Sequence, residues 1–240
     1  MTPIGIIGMG KMGNAISDLL EVEHKVNFHT FNRLSGDNLA LLKDCEVVIE
    51  FTAPEAAPAI IKQCISVGVP IVSGTTGWHE YHLESIKNLC RQHNGKFLYA
   101  SNFSIGMNIT FALNRKLATI MSEYSQFKPS ILEKHHIHKK DSPSGTAYTM
   151  IEDVIDNHPL YDGFELNTKS SANDKIPVTA IREGDIKGFH EVAWNSGQEK
   201  ISLSHEAYDR KIFAEGAIVA ATWLKNQKPG TYTMKDIISI

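Results

Sequence analysis

Residues 4–13 read Ile-Gly-Ile-Ile-Gly-Met-Gly-Lys-Met-Gly, and few folds accommodate that order of events. The apolar run Ile4–Ile7 has the length of a buried strand, and the pattern from Lys11 through Leu20 is helical. Between them stands G-x-G-x-x-G, made of Gly8, Met9, Gly10, Lys11, Met12 and Gly13. Glycines at this spacing permit a tight turn, let the backbone approach a pyrophosphate, and let the helix pack closely on its strand. In strand–turn–helix context the fingerprint predicts a parallel, doubly wound sheet that binds a dinucleotide at the carboxyl ends of its strands.

The next hundred or so residues keep the alternation that such a sheet requires. Lys25–Phe31, Cys45–Phe51, Pro70–Ser73 and Lys96–Ala100 read as strands, with helices over Pro54–Val67 and Trp78–Gln92. The strand ends Phe51-Thr52, Gly74-Thr75-Thr76 and Ala100-Ser101-Asn102-Phe103 are expected to line one crevice with the glycine turn. The second strand ends in Asn32-Arg33 rather than the Asp or Glu that accepts from ribose hydroxyls in a strict NAD site. Arg33 can pair with a 2′-phosphate, which favours NADPH and leaves NADH admissible.

After a long helical pattern, Gly106–Ser125, the period changes. Ser130–His138 reads as a strand, followed by a helix from Ala147 to Ile155. Ile176–Arg182, Lys187–Trp194 and Glu199–Ser204 read as further strands, separated by Glu183-Gly184-Asp185 and Asn195-Ser196-Gly197. Strands in succession predict an antiparallel or mixed sheet with helices on one face. The expected fold class is therefore α/β, a Rossmann-type doubly wound parallel sheet plus a second α+β domain, closed by a helix over Arg210–Leu224. A chain of 240 residues suffices for two modest domains.

Within the second half, Glu133–Thr146 (EKHHIHKKDSPSGT) concentrates proton chemistry. Imidazole titrates near neutral pH, and lysines supply charge for an anionic ligand. Because alternate strand residues share a face, Glu133, His135, Ile137 and Lys139 point one way, and His136 and His138 the other. At full extension His135 and Lys139 stand about 13 Å apart, so the chain must bend after Ile137 or the two must address different ends of a ligand. Ser144-Gly145-Thr146 sits where a helix begins, and N–H groups at a helix start bind carboxylates. His136-x-His138 has no Cys, Asp or Glu at ligand spacing, so no metal is expected. The net charge of -3 argues against nucleic acid or an anionic membrane as partner. Cys45, Cys64 and Cys90, in apolar segments and without C-x-x-C, read as reduced thiols of a cytoplasmic protein. The N-terminus shows no signal-peptide pattern, and no run is long enough to span a membrane.

The run HHIHKKDSPSGTA closely resembles the signature of the dihydrodipicolinate reductase (4-hydroxy-tetrahydrodipicolinate reductase) family of the lysine–diaminopimelate pathway. The closing helix RKIFAEGAIVAATWL is similar to that family's last helix, which returns to the nucleotide domain. The resemblance implies a dinucleotide-binding domain over 1–103 and 209–240, and a substrate-binding and oligomerisation domain over 104–208. It implies NADPH and/or NADH as cofactor, a small dicarboxylate substrate, and a homotetramer joined through the second domain's sheet. His135 would be the proton donor or acceptor and Lys139 the second acid; His136, Lys139 and Ser144-Gly145-Thr146 would hold substrate. The dinucleotide would contact the glycine turn, Phe51-Thr52, Gly74-Thr75-Thr76 and Ala100-Ser101-Asn102-Phe103. One departure is Ala53, where the family often carries Arg. Two other readings share the glycine turn: another two-domain nicotinamide dehydrogenase, and a non-catalytic NAD(P)-sensing module. Neither requires the histidine–lysine run.

Overall fold

The computed structural model describes residues 3–32, 38–168 and 172–238. The chain divides into two compact units, Met1–Ile105 with Lys211–Ser239, and Gly106–Arg210. In chain order the first unit opens with β1 (Ile4–Ile7), α1 (Lys11–Leu19), a π-helical turn (Leu20–His24), β2 (Phe28–Phe31), α2 (Leu39–Lys43) and β3 (Val47–Glu50). It continues with α3 (Ala57–Ser66), β4 (Ile71–Ser73), α4 (His79–Gln92) and β5 (Lys96–Tyr99). Helix α5 (Ile105–Met121) begins at the division. The second unit holds β6 (Lys128–His135), α6 (Gly145–Asn157), β7 (Gly163–Leu166), β8 (Lys175–Arg182), β9 (Phe189–Asn195) and β10 (Lys200–Glu206). The chain then supplies α7 (Lys211–Lys225), β11 (Gly230–Tyr232) and α8 (Met234–Ile237) to the first unit.

The first unit is a six-stranded sheet in the order β11-β5-β4-β3-β1-β2 with every pairing parallel. Both faces are covered, which is why its strands are apolar throughout. Alternate side chains go to opposite cores. Ile4, Ile6, Val47, Ile49, Val72 and Leu98 join α1 and α7 residues in one core. Ile7, Phe31, Val48, Ile71 and Phe97 join α3 and α4 residues in the other, with Cys45, Cys64 and Cys90 as buried free thiols. The chain goes from β1 to β2 on one side and then crosses to β3 on the other. That reversal opens a crevice at the carboxyl ends of β1 and β3.

The second unit is a mixed sheet, β10-β9-β6-β8-β7, with β6–β8 and β7–β8 parallel and β6–β9 and β9–β10 antiparallel. Ile131, Ile176, Val178, Val192 and Trp194 pack one sheet face on Met107 and Phe111 of α5 and Met150, Ile151 and Val154 of α6. Among the described residues no helix is long and apolar enough to cross a membrane.

Two differences from the sequence-based expectation have clear causes. Strand β6 spans Lys128–His135, not Ser130–His138. Its ladders to β8 and β9 end at His135 and Lys134, and the Lys139 amide then donates to the His136 carbonyl at 3.2 Å, closing a turn. Four polar or charged residues in five favour solvent over a further ladder. Strand β2 starts at Phe28, because the π-helical turn prolongs α1 and Lys25 takes a left-handed conformation (φ 52) before it.

Helix α7 lies against the sheet through small residues, Ala214, Gly216, Ala217, Ala220 and Ala221. A Cβ on Gly216 would stand 1.8 Å from the Phe103 carbonyl oxygen, so the helix cannot accommodate even a methyl there without moving. Gly216→Ala should destabilise the protein by about 1–3 kcal/mol, the usual cost of overpacking, despite alanine's better helix propensity. A thermal melt would show it as a lowered transition; a raised one would contradict this packing.

Candidate active site

The glycine turn carries out its three tasks in the first unit. Gly8 has φ +94, and a Cβ there would meet the Phe51 carbonyl oxygen at 2.1 Å. Gly13, in the first turn of α1, comes so close to the strand end that a Cβ would stand 2.0 Å from the Gly8 carbonyl oxygen. Gly10, at the N-cap, has nothing within 4 Å of an added Cβ, so its backbone is open to a ligand. Beside it a cleft of about 350 Å³ is lined by Gly10, Lys11, Met12, Phe51, Thr52, Pro54, Gly74, Thr75 and Thr76. An α1 N-terminus with one lysine and no acidic residue in its first turn suits a pyrophosphate. The chain therefore has the cradle that a dinucleotide needs. Eight of the residues expected from the sequence line that cleft. Phe103 does not: it is 2% exposed, packs edge-on against Phe51 at 5.7 Å, and supports the wall from within. Arg33 lies outside the described residues.

In the second unit the centre is Glu133, whose side chain is fully buried. Sheet register explains its company. Glu133 stands opposite His190 in the antiparallel β6–β9 ladder, and His135 pairs with Arg182 in the parallel β6–β8 ladder. Glu133 Oε1 accepts from the Arg182 guanidinium at 2.8 Å and from the Ser144 amide at 3.0 Å. Its Oε2 lies 3.1 Å from His135 Nδ1 and 3.8 Å from His190 Nε2. The two imidazoles meet edge to face, 5.0 Å between centroids. Burial raises the Glu133 carboxyl, but the adjacent His135 ring and the bonds from Ser144 and Arg182 outweigh it and hold it down at about 2. Burial, with the nearby His135, pushes His190 down to about 3, so this ring is neutral; Lys139 also opposes its protonation.

Ser144 is 2% exposed and its hydroxyl is committed inward, accepting from the Ala147 amide at 3.2 Å as the N-cap of α6 and lying 3.2 Å from His190 Nε2. What the helix start offers a ligand is therefore exposed Gly145, with nothing within 4 Å of an added Cβ, and half-buried Thr146. Because the chain turns directly after His135, Lys139 returns toward the strand end, where its ammonium pairs with Asp141 at 2.9 Å. His136 is half-buried and His138 exposed, with rings 6.3 Å apart.

Three members of the cluster have no role in the sequence-based reading: Glu133, Arg182 and His190. The available signal was a charged or polar side chain at an inward position of an otherwise apolar strand, as at His190 in FHEVAW. The only trio of metal-type donors among the described residues is Glu133, His135 and His190, with ligand atoms within 4.8 Å of one another. The Arg182 guanidinium already neutralises the carboxylate of that trio, which makes it poor company for a divalent cation.

Both perturbed groups act in one direction on acidification. His190 has an ordinary value near 6.5, so below that pH the unfolded chain takes a proton that the native ring refuses until about 3. Stabilisation from Glu133 is complete above its ordinary 4.5 and is lost as pH falls through about 2. Unfolding free energy should therefore drop from pH 6.5 downward, and His190→Asn should make the drop between pH 6 and 4.5 shallower by up to about 1.4 kcal/mol per unit. Urea titrations at a series of pH values measure both slopes; equal slopes would contradict the neutral His190.

Comparison with known proteins matches this architecture along nearly the whole chain. Residues 2–103 match the family described as dihydrodipicolinate reductase, N-terminus, and residues 106–238 match dihydrodipicolinate reductase, C-terminus. The chain is 38% identical over 237 residues to the 4-hydroxy-tetrahydrodipicolinate reductase of Christiangramia forsetii, covering 98% of this chain and 97% of that one. It is 34% identical over 249 residues to the enzyme of the same name from Methanospirillum hungatei, covering 96% of each. Among solved structures, the dipicolinate-bound dihydrodipicolinate reductase from Paenisporosarcina sp. TG-14 shares the fold with TM-score 0.79 at 21% identity, over 99% of this chain and 100% of that chain. An aspartate dehydrogenase from Thermotoga maritima shares it more distantly, with TM-score 0.52 at 14% identity over 95% and 98%. On the family matches to both units and the full-length relatives, the chain belongs to the dihydrodipicolinate reductase family.

Proposed function

We propose that the chain reduces 4-hydroxy-tetrahydrodipicolinate to tetrahydrodipicolinate in lysine/diaminopimelate biosynthesis, using NADPH and/or NADH. The observation that carries this reading is the arrangement around His135. A buried carboxylate stands 3.1 Å from its Nδ1, and a lysine and a helix start follow in the same short stretch. Those are the parts for adding a proton to an anionic substrate. When bound, the reduced nicotinamide supplies a hydride; one proton enters with it and the substrate hydroxyl leaves as water.

Each residue then has a task that its chemistry suits. Gly10, Lys11 and Met12 at the start of α1 receive the pyrophosphate, and Phe51, Thr52, Gly74, Thr75 and Thr76 wall the rest of the dinucleotide. Ala100, Ser101 and Asn102 contribute at the end of β5, and Arg33 pairs with a 2′-phosphate. Glu133 holds the Nδ1 side of His135, so that Nε2 is the atom that exchanges a proton with substrate. Lys139 serves as second acid and as a cation for one carboxylate. His136, with Gly145 and Thr146 at the start of α6, takes the other carboxylate, and Ser144 holds that helix start in place. The first unit is the nucleotide domain and the second the substrate and oligomerisation domain. The working form is a cytoplasmic homotetramer, with partly exposed Leu132 and Ile181, on the sheet face opposite the core residues Ile131 and Val178, available for pairing.

His135→Gln removes the proton donor and leaves the first unit untouched. It should lower turnover by roughly 100-fold or more, the usual scale for a general acid, with NADPH affinity unchanged. Steady-state kinetics with a parallel cofactor titration check this, and undiminished turnover in the folded variant would remove His135 from the reaction.

A further inference from the structure

A second buried carboxylate stands behind the nucleotide cleft. Glu50, the last residue of β3, is fully buried. Its Oε1 accepts from the Thr52 amide at 2.7 Å, the Thr52 hydroxyl at 2.5 Å and the Thr75 hydroxyl at 2.6 Å. Its Oε2 accepts from the Ser73 hydroxyl at 2.6 Å. Among the described residues it has no lysine, arginine or histidine ion-pair partner. Glu133, by contrast, has Arg182.

Burying a carboxylate without a cation is costly, and a neutral side chain could tie the same two loops together. The charge therefore calls for a use. Two of its donors, Thr52 and Thr75, line the cleft, so the carboxylate stands one hydroxyl behind the cleft wall. Both hydroxyls give their protons inward to Glu50, and the Thr75 oxygen also accepts from the Thr52 amide at 2.8 Å, so a ligand meets the remaining lone pairs and no hydroxyl proton. Such a wall suits donor groups or a positive ring. A nicotinamide that gives up hydride passes from neutral to cationic, and a fixed negative charge in a poorly screened site stabilises the cationic form.

We propose that Glu50 is a positioning residue of the cofactor site, whose buried carboxylate orients the Thr52 and Thr75 hydroxyls and biases the cleft toward the oxidised, cationic nicotinamide. This rests on reading the cleft as the dinucleotide site and is independent of the role of His135.

The test is calorimetric titration of NADP+ and NADPH into full-length wild type and Glu50→Gln. The glutamine is isosteric, and its amide can donate to the Ser73 oxygen. The ratio of NADP+ to NADPH dissociation constants should rise roughly tenfold in the variant, the size expected for losing one charge within several Å at intermediate dielectric. A purely structural role would weaken both forms by one factor; that outcome, or no change, overturns the proposal. Should Glu50→Gln fail to fold, Ser73→Ala decides. It removes a donor that offsets part of the charge on Oε2 without altering any cleft-lining side chain, so the ratio of NADP+ to NADPH dissociation constants should fall about threefold, a fraction of one charge-assisted bond, and equal weakening of both forms would overturn the proposal. Wild-type affinity for both in Ser73→Ala overturns the positioning role. Wild type that binds neither form would instead refute the cleft as the cofactor site.

Discussion

The Glu133 carboxylate is the interaction on which the second unit depends. It is fully buried, so it is tolerated only because Arg182, the Ser144 amide and two imidazoles surround it. Besides His135 of β6 itself, those partners come from β8, from the start of α6 and from β9, and the carboxylate draws them to one end of β6. The same contacts set the direction of the His135 ring and seat the helix whose first residues face outward. Fold and proposed chemistry are thus one arrangement: loss of the carboxylate would leave the Arg182 guanidinium without its anion and the His135 ring without its carboxylate neighbour.

Each unit carries one such group, handled in opposite ways. Glu133 is matched by a cation and stands against the His135 ring. Glu50 is met only by an amide and three hydroxyls, so its negative charge is solvated internally but not cancelled. In a reaction that moves a hydride from one partner and a proton to the other, this division is physically sensible. Negative charge belongs near the group that becomes cationic, and a neutralised carboxylate belongs under the acid.

Much of this was legible in the sequence because the signals were local. The glycine turn, the strand–helix alternation and the histidine–lysine run each lie within a short window, and the parallel sheet follows from them. Other features are not local. Arg182 reaches Glu133 across 49 positions, and only the register of three strands brings it and His190 there. Strand β11, three residues long, has too little pattern to register as a strand, yet it completes the sheet by pairing with β5. The end of β6 at His135 depended on where its neighbours stop, which alternation alone does not reveal. Ser144 and Phe103 had the right positions but face inward, because one caps a helix and the other packs against Phe51.

The central claim is the identity of the reaction, and the absorbance of the reduced nicotinamide tests it most directly. With NADPH present, freshly generated 4-hydroxy-tetrahydrodipicolinate should bring a loss of the reduced band equal to the substrate added. Iminoaspartate and oxidised inositols should leave the band unchanged. Steady absorbance with the cyclic dicarboxylate, or a faster loss with one of the others, would contradict the assignment.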